Sequence, residues 1–167
     1  CLSYGTLRRY LNIYQKAKNI ADAGKFGKLL QIQVNFGESS LFWTHPHSVD
    51  AILFFSGKRK LKAVQSKLSN IIFKNKNILE SDPIIEQSMM YFDDGLVGTI
   101  SKIPGMDVVL CCEKGVITVE SNGGQIVIKH SVNDSPYFKK SKKNFKSCKT
   151  PQGTYSAISD LITNLNN

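Results

Sequence analysis

With 167 residues, 41% of them hydrophobic, and ordinary glycine and proline content, the chain can bury one sizeable core, and one domain is expected. Its longest apolar runs, such as Ala51 to Phe55 and Val108 to Cys112, fall far short of the roughly 20 residues that a transmembrane helix needs, which excludes one. The net charge of +9 invites polyanions, while the four cysteines, at 1, 111, 112 and 148, lack CxxC spacing; this argues against a structural zinc site and for reduced thiols in the cytoplasm.

The first residues, Cys1-Leu-Ser-Tyr-Gly5, carry neither an initiator methionine nor a signal-peptide pattern and read as a strand already under way, so the chain reads as a fragment. Tyr10, Ile13, Tyr14, Ala17, Ile20 and Ala21 then recur at helical spacing, with Gly24 as a stop, and predict a helix over about residues 9 to 23. From Lys28 to Gly37 the pattern alternates strictly. Leu30, Ile32, Val34 and Phe36 are expected on one face of a half-buried strand, with Gln31, Gln33 and Asn35 on the other.

The segment from Leu41 to Gly57 predicts a second, short helix. Pro46 sits in its first turn, Gly57 closes it, and Val49, Ile52 and Leu53 lie between. Its opening carries His45, His47 and Asp50, and the last two stand one turn apart on one face. An imidazole with an ordinary pKa near 6.5 suits proton transfer, so this corner is the candidate site; capping or packing is the structural alternative for a histidine there. Asp50 could orient the ring of His47 or hold a substrate hydroxyl, or pair with a basic neighbour such as Arg9. Trp43 could stack on a sugar or fill the core.

Downstream, residues 61 to 69 and 71 to 74 read as strand. The segments 84 to 92 and 96 to 100 are joined by the hairpin signal Asp93-Asp94-Gly95. Pro104-Gly105, Glu113-Lys114-Gly115 and Asn122-Gly123-Gly124 separate three further strands over 106 to 112, 116 to 120 and 125 to 129. Cys111 and Cys112, adjacent on a strand, should face opposite sides. Residues 131 to 150 read as polar and irregular, and Tyr155, Ile158, Leu161, Ile162 and Leu165 predict a last helix. The basic clusters at Lys58, Arg59, Lys60, Lys62 and Lys67, and from Lys139 to Lys149, read as solvated surface. Tyr137, Phe138 and Phe145 do not form a stacking platform, which argues against nucleic acid as the partner.

Helices early and late with hairpins between predict an α+β domain, a large, mainly antiparallel open sheet with helices on one face. Strands apolar on both sides predict that the open face meets another copy of the chain, giving a homo-oligomer.

The order of motifs carries a resemblance. Arg8-Arg9-Tyr10, Tyr14-Gln-Lys-Ala-Lys18, Gly24-Lys-Phe-Gly27-Lys28, the alternating strand, His47-Ser-Val-Asp50 and Gly57 come first. Tyr91-Phe-Asp-Asp-Gly95, Gly115-Val-Ile-Thr-Val119, Asn122-Gly-Gly124, Gly153-Thr154, Ala157-Ile158 and Asp160-Leu161 follow. In this order the chain resembles, over nearly its whole length, the C-terminal domain of the glucose-fructose oxidoreductase, inositol dehydrogenase and MocA family. The fold implied is that of the C-terminal domain of glyceraldehyde-3-phosphate dehydrogenase.

The resemblance implies an NAD(P)-dependent oxidoreductase acting on a sugar or polyol hydroxyl, with NAD or NADP held by a separate N-terminal domain. No G-x-G-x-x-G and none of the family's Lys-Pro motif occurs in these residues, so this chain alone is expected neither to bind the cofactor well nor to turn over. By the same resemblance His47 contacts the reacting hydroxyl as acid or base, and Arg9 lies near the domain junction, structural more often than catalytic. His45, Trp43, Asp50 and Arg9 are the candidate substrate-binding residues, and His45 could also substitute for an acidic partner of His47. Many relatives carry an aspartate four residues before the histidine; here Trp43 stands there. Tyr91 is expected in the core rather than the site. A non-catalytic interaction module is the alternative function.

Overall fold

The computed structural model describes residues 5–131, 138–143 and 152–165. A 3-10 turn over Arg8–Tyr10 leads into α1, Asn12–Asp22. The helix predicted over 9 to 23 is thus interrupted at Leu11, whose extended backbone (φ −75°, ψ 132°) separates the two pieces. The first strand, β1, spans Leu29–Asn35, and α2 spans His45–Ser56. Gly57 ends α2 with φ +69° and ψ −127°, a conformation open to glycine.

The remaining strands are β2 (Leu61–Ser69), β3 (Phe73–Asn75), β4 (Ile78–Leu79), β5 (Ile84–Phe92), β6 (Val97–Ser101), β7 (Asp107–Cys112), β8 (Gly115–Glu120), β9 (Gln125–Ser131) and β10 (Phe138–Lys143). The last helix, α3, covers Gln152–Leu165. Eight strands form one sheet in the order β10-β9-β8-β7-β1-β6-β5-β2, and β3 and β4 pair separately. Every pair in the large sheet is antiparallel except β1 with β6. The predicted α+β architecture is therefore the observed one.

The register brings Ile32 beside Gly98 and Leu110, and Val34 beside Ile100 and Val108. These side chains, with Ile117, Val119 and Ile126, floor the core. Ile13, Tyr14 and Ala17 of α1 and Ala51, Ile52 and Phe55 of α2 close it from above, and the rings of Tyr14 and Phe55 lie 6.2 Å apart. Gly98 lets α2 sit close to the sheet, because a Cβ there would stand 2.4 Å from a methyl of Ile52. α2 also meets the 3-10 turn, which brings its first turn beside Arg8.

Four expectations need correction. Leu30 is 47% exposed, because an irregularity in the pairing between Leu29 and Gln31 turns Leu29 inward in its place. The strand expected over 71 to 74 is instead the small β3–β4 ribbon. Residues 138–143, expected to be irregular, form β10, whose backbone pairs with β9 from Phe138 opposite Ser131 to Lys143 opposite Ile126. A chain of lysines can occupy such an edge because the ladder is held by the backbone. Tyr91 is half-buried beside Val97, outside the core cluster, with its hydroxyl directed to Met89 Sδ at 3.2 Å.

The opposite face of the sheet carries Gln31, Gln33, Met89, Val109, Cys111 and Thr118, half-buried and alternating with the core positions, together with the buried Thr99. Polar side chains there bond to one another, as in Gln33 Nε2 to Asn35 Oδ1 at 2.8 Å and Ser101 Oγ to Asn35 Oδ1 at 2.8 Å. Cys112 is buried in the core while Cys111 lies on the other side, as strand alternation requires. Cys1 and Cys148 lie outside the described residues, as do Lys146 and Lys149 of the second basic cluster.

Candidate functional site

The turn that opens α2 is anchored from outside the helix. The N–H groups of Thr44 and His45 reach Ser40 O at 3.2 and 3.3 Å, Phe42 N–H donates to Asp82 Oδ1 at 2.8 Å, and Leu41 N–H donates to Pro83 O at 2.7 Å. These bonds fix how the three residues Trp43, His45 and His47 are presented.

His45 turns inward. It is 1% exposed, its Nε2 lies 3.1 Å from Ser39 O, and its Nδ1 lies 3.1 Å from Ser48 Oγ. A carbonyl only accepts, so Nε2 carries the proton and Nδ1 accepts from the Ser48 hydroxyl. Burial lowers its pKa below the ordinary 6.5. Both ring nitrogens are bonded to the chain itself, and His45 is not among the residues that line the pocket beside it.

His47 turns the other way. Together with Gly5, Arg8, Trp43, Thr44 and Met106 it lines an open pocket of about 370 Å³. Its Nδ1 is enclosed without a hydrogen-bond partner among the described residues, which leaves Nε2 as the nitrogen able to meet a ligand. Burial pushes its pKa below 6.5, Arg8 pushes the same way, and Asp50 opposes them. The imidazole is therefore neutral at pH 7 and able to accept a proton.

Trp43 is 82% exposed, which overturns the core alternative and leaves its indole as one wall of this pocket. Asp50 does not hold His47. Its carboxylate pairs with Arg9, whose Nε donates to Oδ2 at 3.1 Å and whose Nη2 donates to Oδ1. Arg9 also lies over the Phe54 ring at 6.0 Å. The Arg9–Asp50 pair ties the 3-10 turn to α2, and neither residue is among those that line the pocket.

The residue that sequence reasoning missed is Arg8. Its Nε donates to Asn122 Oδ1 at 2.8 Å, and its guanidinium stacks 4.7 Å from the centre of the Phe36 ring. Asn122, in the left-handed region at φ +54°, is itself fixed by its N–H donating to Met106 O at 2.9 Å. The signals were the Asn122-Gly-Gly turn and the doubled arginine; what could not be read was which arginine faces which partner. Among the described residues no group of three or more His, Cys, Asp or Glu gathers as a metal site would require.

Neither a protein-family model nor a curated protein sequence matches the chain. Solved structures do match in fold. An inositol dehydrogenase homologue from Azotobacter vinelandii, solved with NADH and myo-inositol, is 12% identical with a TM-score of 0.61, over 95% of this chain and 49% of that one. UDP-N-acetylglucosamine 3-dehydrogenase GnnA from Acidithiobacillus ferrooxidans is 12% identical with a TM-score of 0.63, over 99% and 52%. A super-repressor mutant of Gal80p from Saccharomyces cerevisiae is 12% identical with a TM-score of 0.61, over 97% and 52%. The chain thus spans about half the length of these structures. The fold is that of the C-terminal domain of such oxidoreductases, as the motif order implied.

Proposed function

We propose that this chain is the substrate-binding domain of an NAD(P)-dependent oxidoreductase acting on a sugar or polyol hydroxyl, and that His47 stands at the reacting hydroxyl. The observation that carries this reading is the imidazole of His47 lining an open pocket beside an exposed indole. An indole face suits the C–H face of a sugar ring, and Thr44 offers a hydroxyl on the same wall. Nε2 of His47 takes the hydroxyl proton in oxidation and returns one in reduction. Such transfer contributes on the order of 10² to 10⁴ in rate.

The residues described carry no glycine-rich phosphate cradle, so they do not themselves fit a dinucleotide. A nicotinamide cofactor would be bound by a separate domain of a longer protein, in the cytoplasm. The open sheet face, with its half-buried Val109, Cys111 and Met89, would be the seat of self-association. Sedimentation of the chain at rising concentration tests that part, and a monomer throughout removes it.

A second reading has a specific observation in its favour. Nδ1 of His47 has no acceptor among the described residues, and Trp43 stands where many relatives of the resembled family carry an aspartate. An imidazolium formed there would lack the partner that usually stabilises it. A non-catalytic binding module is consistent with this, and the Gal80p super-repressor shares the fold. Turnover of His47→Ala in the full-length protein separates the two. A fall of about 10² or more is expected for the enzyme, whereas an unchanged rate takes His47 out of the mechanism.

A further inference from the structure

We infer that Arg8 is an oxyanion-binding residue of the pocket, and that the molecule held beside His47 is an acidic sugar derivative carrying a carboxylate or a phosphate. This rests on the reading of that pocket as the substrate site.

The chain has three arginines, and two of them are neutralised internally. Arg9 is paired with Asp50, and Arg59 Nε lies 2.8 Å from Asp94 Oδ2. Arg8 alone has no carboxylate partner among the described residues. The nearby acids are engaged elsewhere, since Asp107 Oδ1 accepts from Ser121 N–H at 2.8 Å and Asp50 serves Arg9. Among the described residues no other charged side chain, of either sign, lines the pocket apart from the titratable His47.

Arg8 is also held in place before any ligand arrives. Asn122 accepts from its Nε, the Phe36 ring supports the guanidinium plane, and the Tyr14 hydroxyl lies within hydrogen-bonding reach of the guanidinium, so the remaining Nη hydrogens are the donors open to a ligand. The neighbouring Tyr14 hydroxyl is neutral, its pKa raised by burial against the opposing pull of Arg8. A half-buried guanidinium without a counter-charge favours a carboxylate or phosphate, which it can meet with two parallel hydrogen bonds. An oxyanion placed there would also offset the pull of Arg8 on His47 and make that imidazole a stronger base. The ligand would thereby supply a negative charge where position 43 offers none.

The test is binding to the chain, followed through the imidazole resonances of His47 by heteronuclear NMR, with D-glucuronate, its uncharged methyl ester, D-glucose 6-phosphate, D-glucose and inorganic phosphate as probes. Charged hydrogen bonds of this kind correspond to about 10-fold or more in Kd. We expect glucuronate or glucose 6-phosphate, whichever oxyanion the fork fits, to bind at least that much tighter than glucose and the methyl ester. Arg8→Gln should abolish the preference and Arg8→Lys should retain part of it. Because the ester comparison needs no variant, the result stands even if Arg8→Gln does not fold.

Glucose and the ester binding as tightly as the charged probes would overturn the role of Arg8 and leave the pocket as a sugar site. Inorganic phosphate binding as tightly as glucose 6-phosphate would overturn the sugar. No probe moving His47 would overturn the substrate site and this inference together.

Discussion

The two ends of α2 carry depressions of opposite character. At its C-terminal end lies the wider one, about 700 Å³, lined by Lys18, Asp22, Arg59 and Asp93 among others. There Lys18 Nζ sits 2.8 Å from Asp22 Oδ2, while Arg59 bonds both Asp94 and, through Nη1 at 2.9 Å, the carbonyl of Ser56. Both cations meet neighbouring acids, and Arg59 also caps the Ser56 carbonyl near the end of the helix, as a helix C-terminus favours. At the N-terminal end the pocket is smaller, yet among the described residues its arginine has no acid and one imidazole nitrogen has no partner. Unpartnered groups at the chemistry-bearing residues, rather than volume, distinguish a place prepared for a ligand from one where Lys18 and Arg59 already meet acids.

Both ends depend on the middle of α2, so the strongest perturbation should abolish the contrast altogether. Phe55→Ala removes a buried ring packed against Tyr14 and should cost about 3 to 5 kcal/mol in urea unfolding. Gly98→Val pushes α2 off the sheet at Ile52 and should cost about 1 to 3 kcal/mol by the same measurement. A loss near zero would mean that α2 is not seated as described. Gly57→Ala acts at the C-terminal end alone. Its backbone conformation should make the change cost about 1 to 3 kcal/mol, while the His47 resonances stay in place.

Acid should separate the two ends further. Both His45 and His47 have lowered pKa values in the folded chain, so the unfolded chain takes up protons first as pH falls. Their contribution is complete above the ordinary value of 6.5 and declines as pH drops through it toward the folded values. Tm should therefore fall between pH 7.5 and 5.5, and less so in His45→Gln; an identical decline in that variant would place the cause elsewhere. The smallest effect is expected at the C-terminal end, where Asp94 is solvent-exposed and its carboxyl is held below the ordinary value chiefly by its hydrogen bond from Arg59. Asp94→Asn should leave Tm at pH 7 nearly unchanged, and a large loss would show that the paired end carries more of the fold than its exposure suggests.

Much of this was legible in the chain. The α+β class, the limits of α2, the hairpin through Asp93-Asp94-Gly95 and the place of His47 all rest on local signals: spacing of apolar residues, glycine at a helix end, turn residues between strands. Leu30 was misplaced because one irregular pairing step shifts the side-chain alternation, and β10 was missed because a lysine-rich edge strand has no apolar alternation to display. The doubled arginine shows the same limit. Its neighbours could be named, but Arg9 finds its acid 41 residues away and Arg8 its amide 114 residues away.

What the sequence determined by itself was therefore the set of elements and the short segment where proton chemistry could reside, because helices and strands declare themselves through neighbours a few residues apart. Only the tertiary structure decided that His45 faces the core while His47 faces the pocket, that Asp50 belongs to Arg9, and that Arg8 meets the amide of Asn122. Burial and ion pairing depend on groups brought together across the sheet, and no local pattern encodes which of two adjacent side chains will meet them.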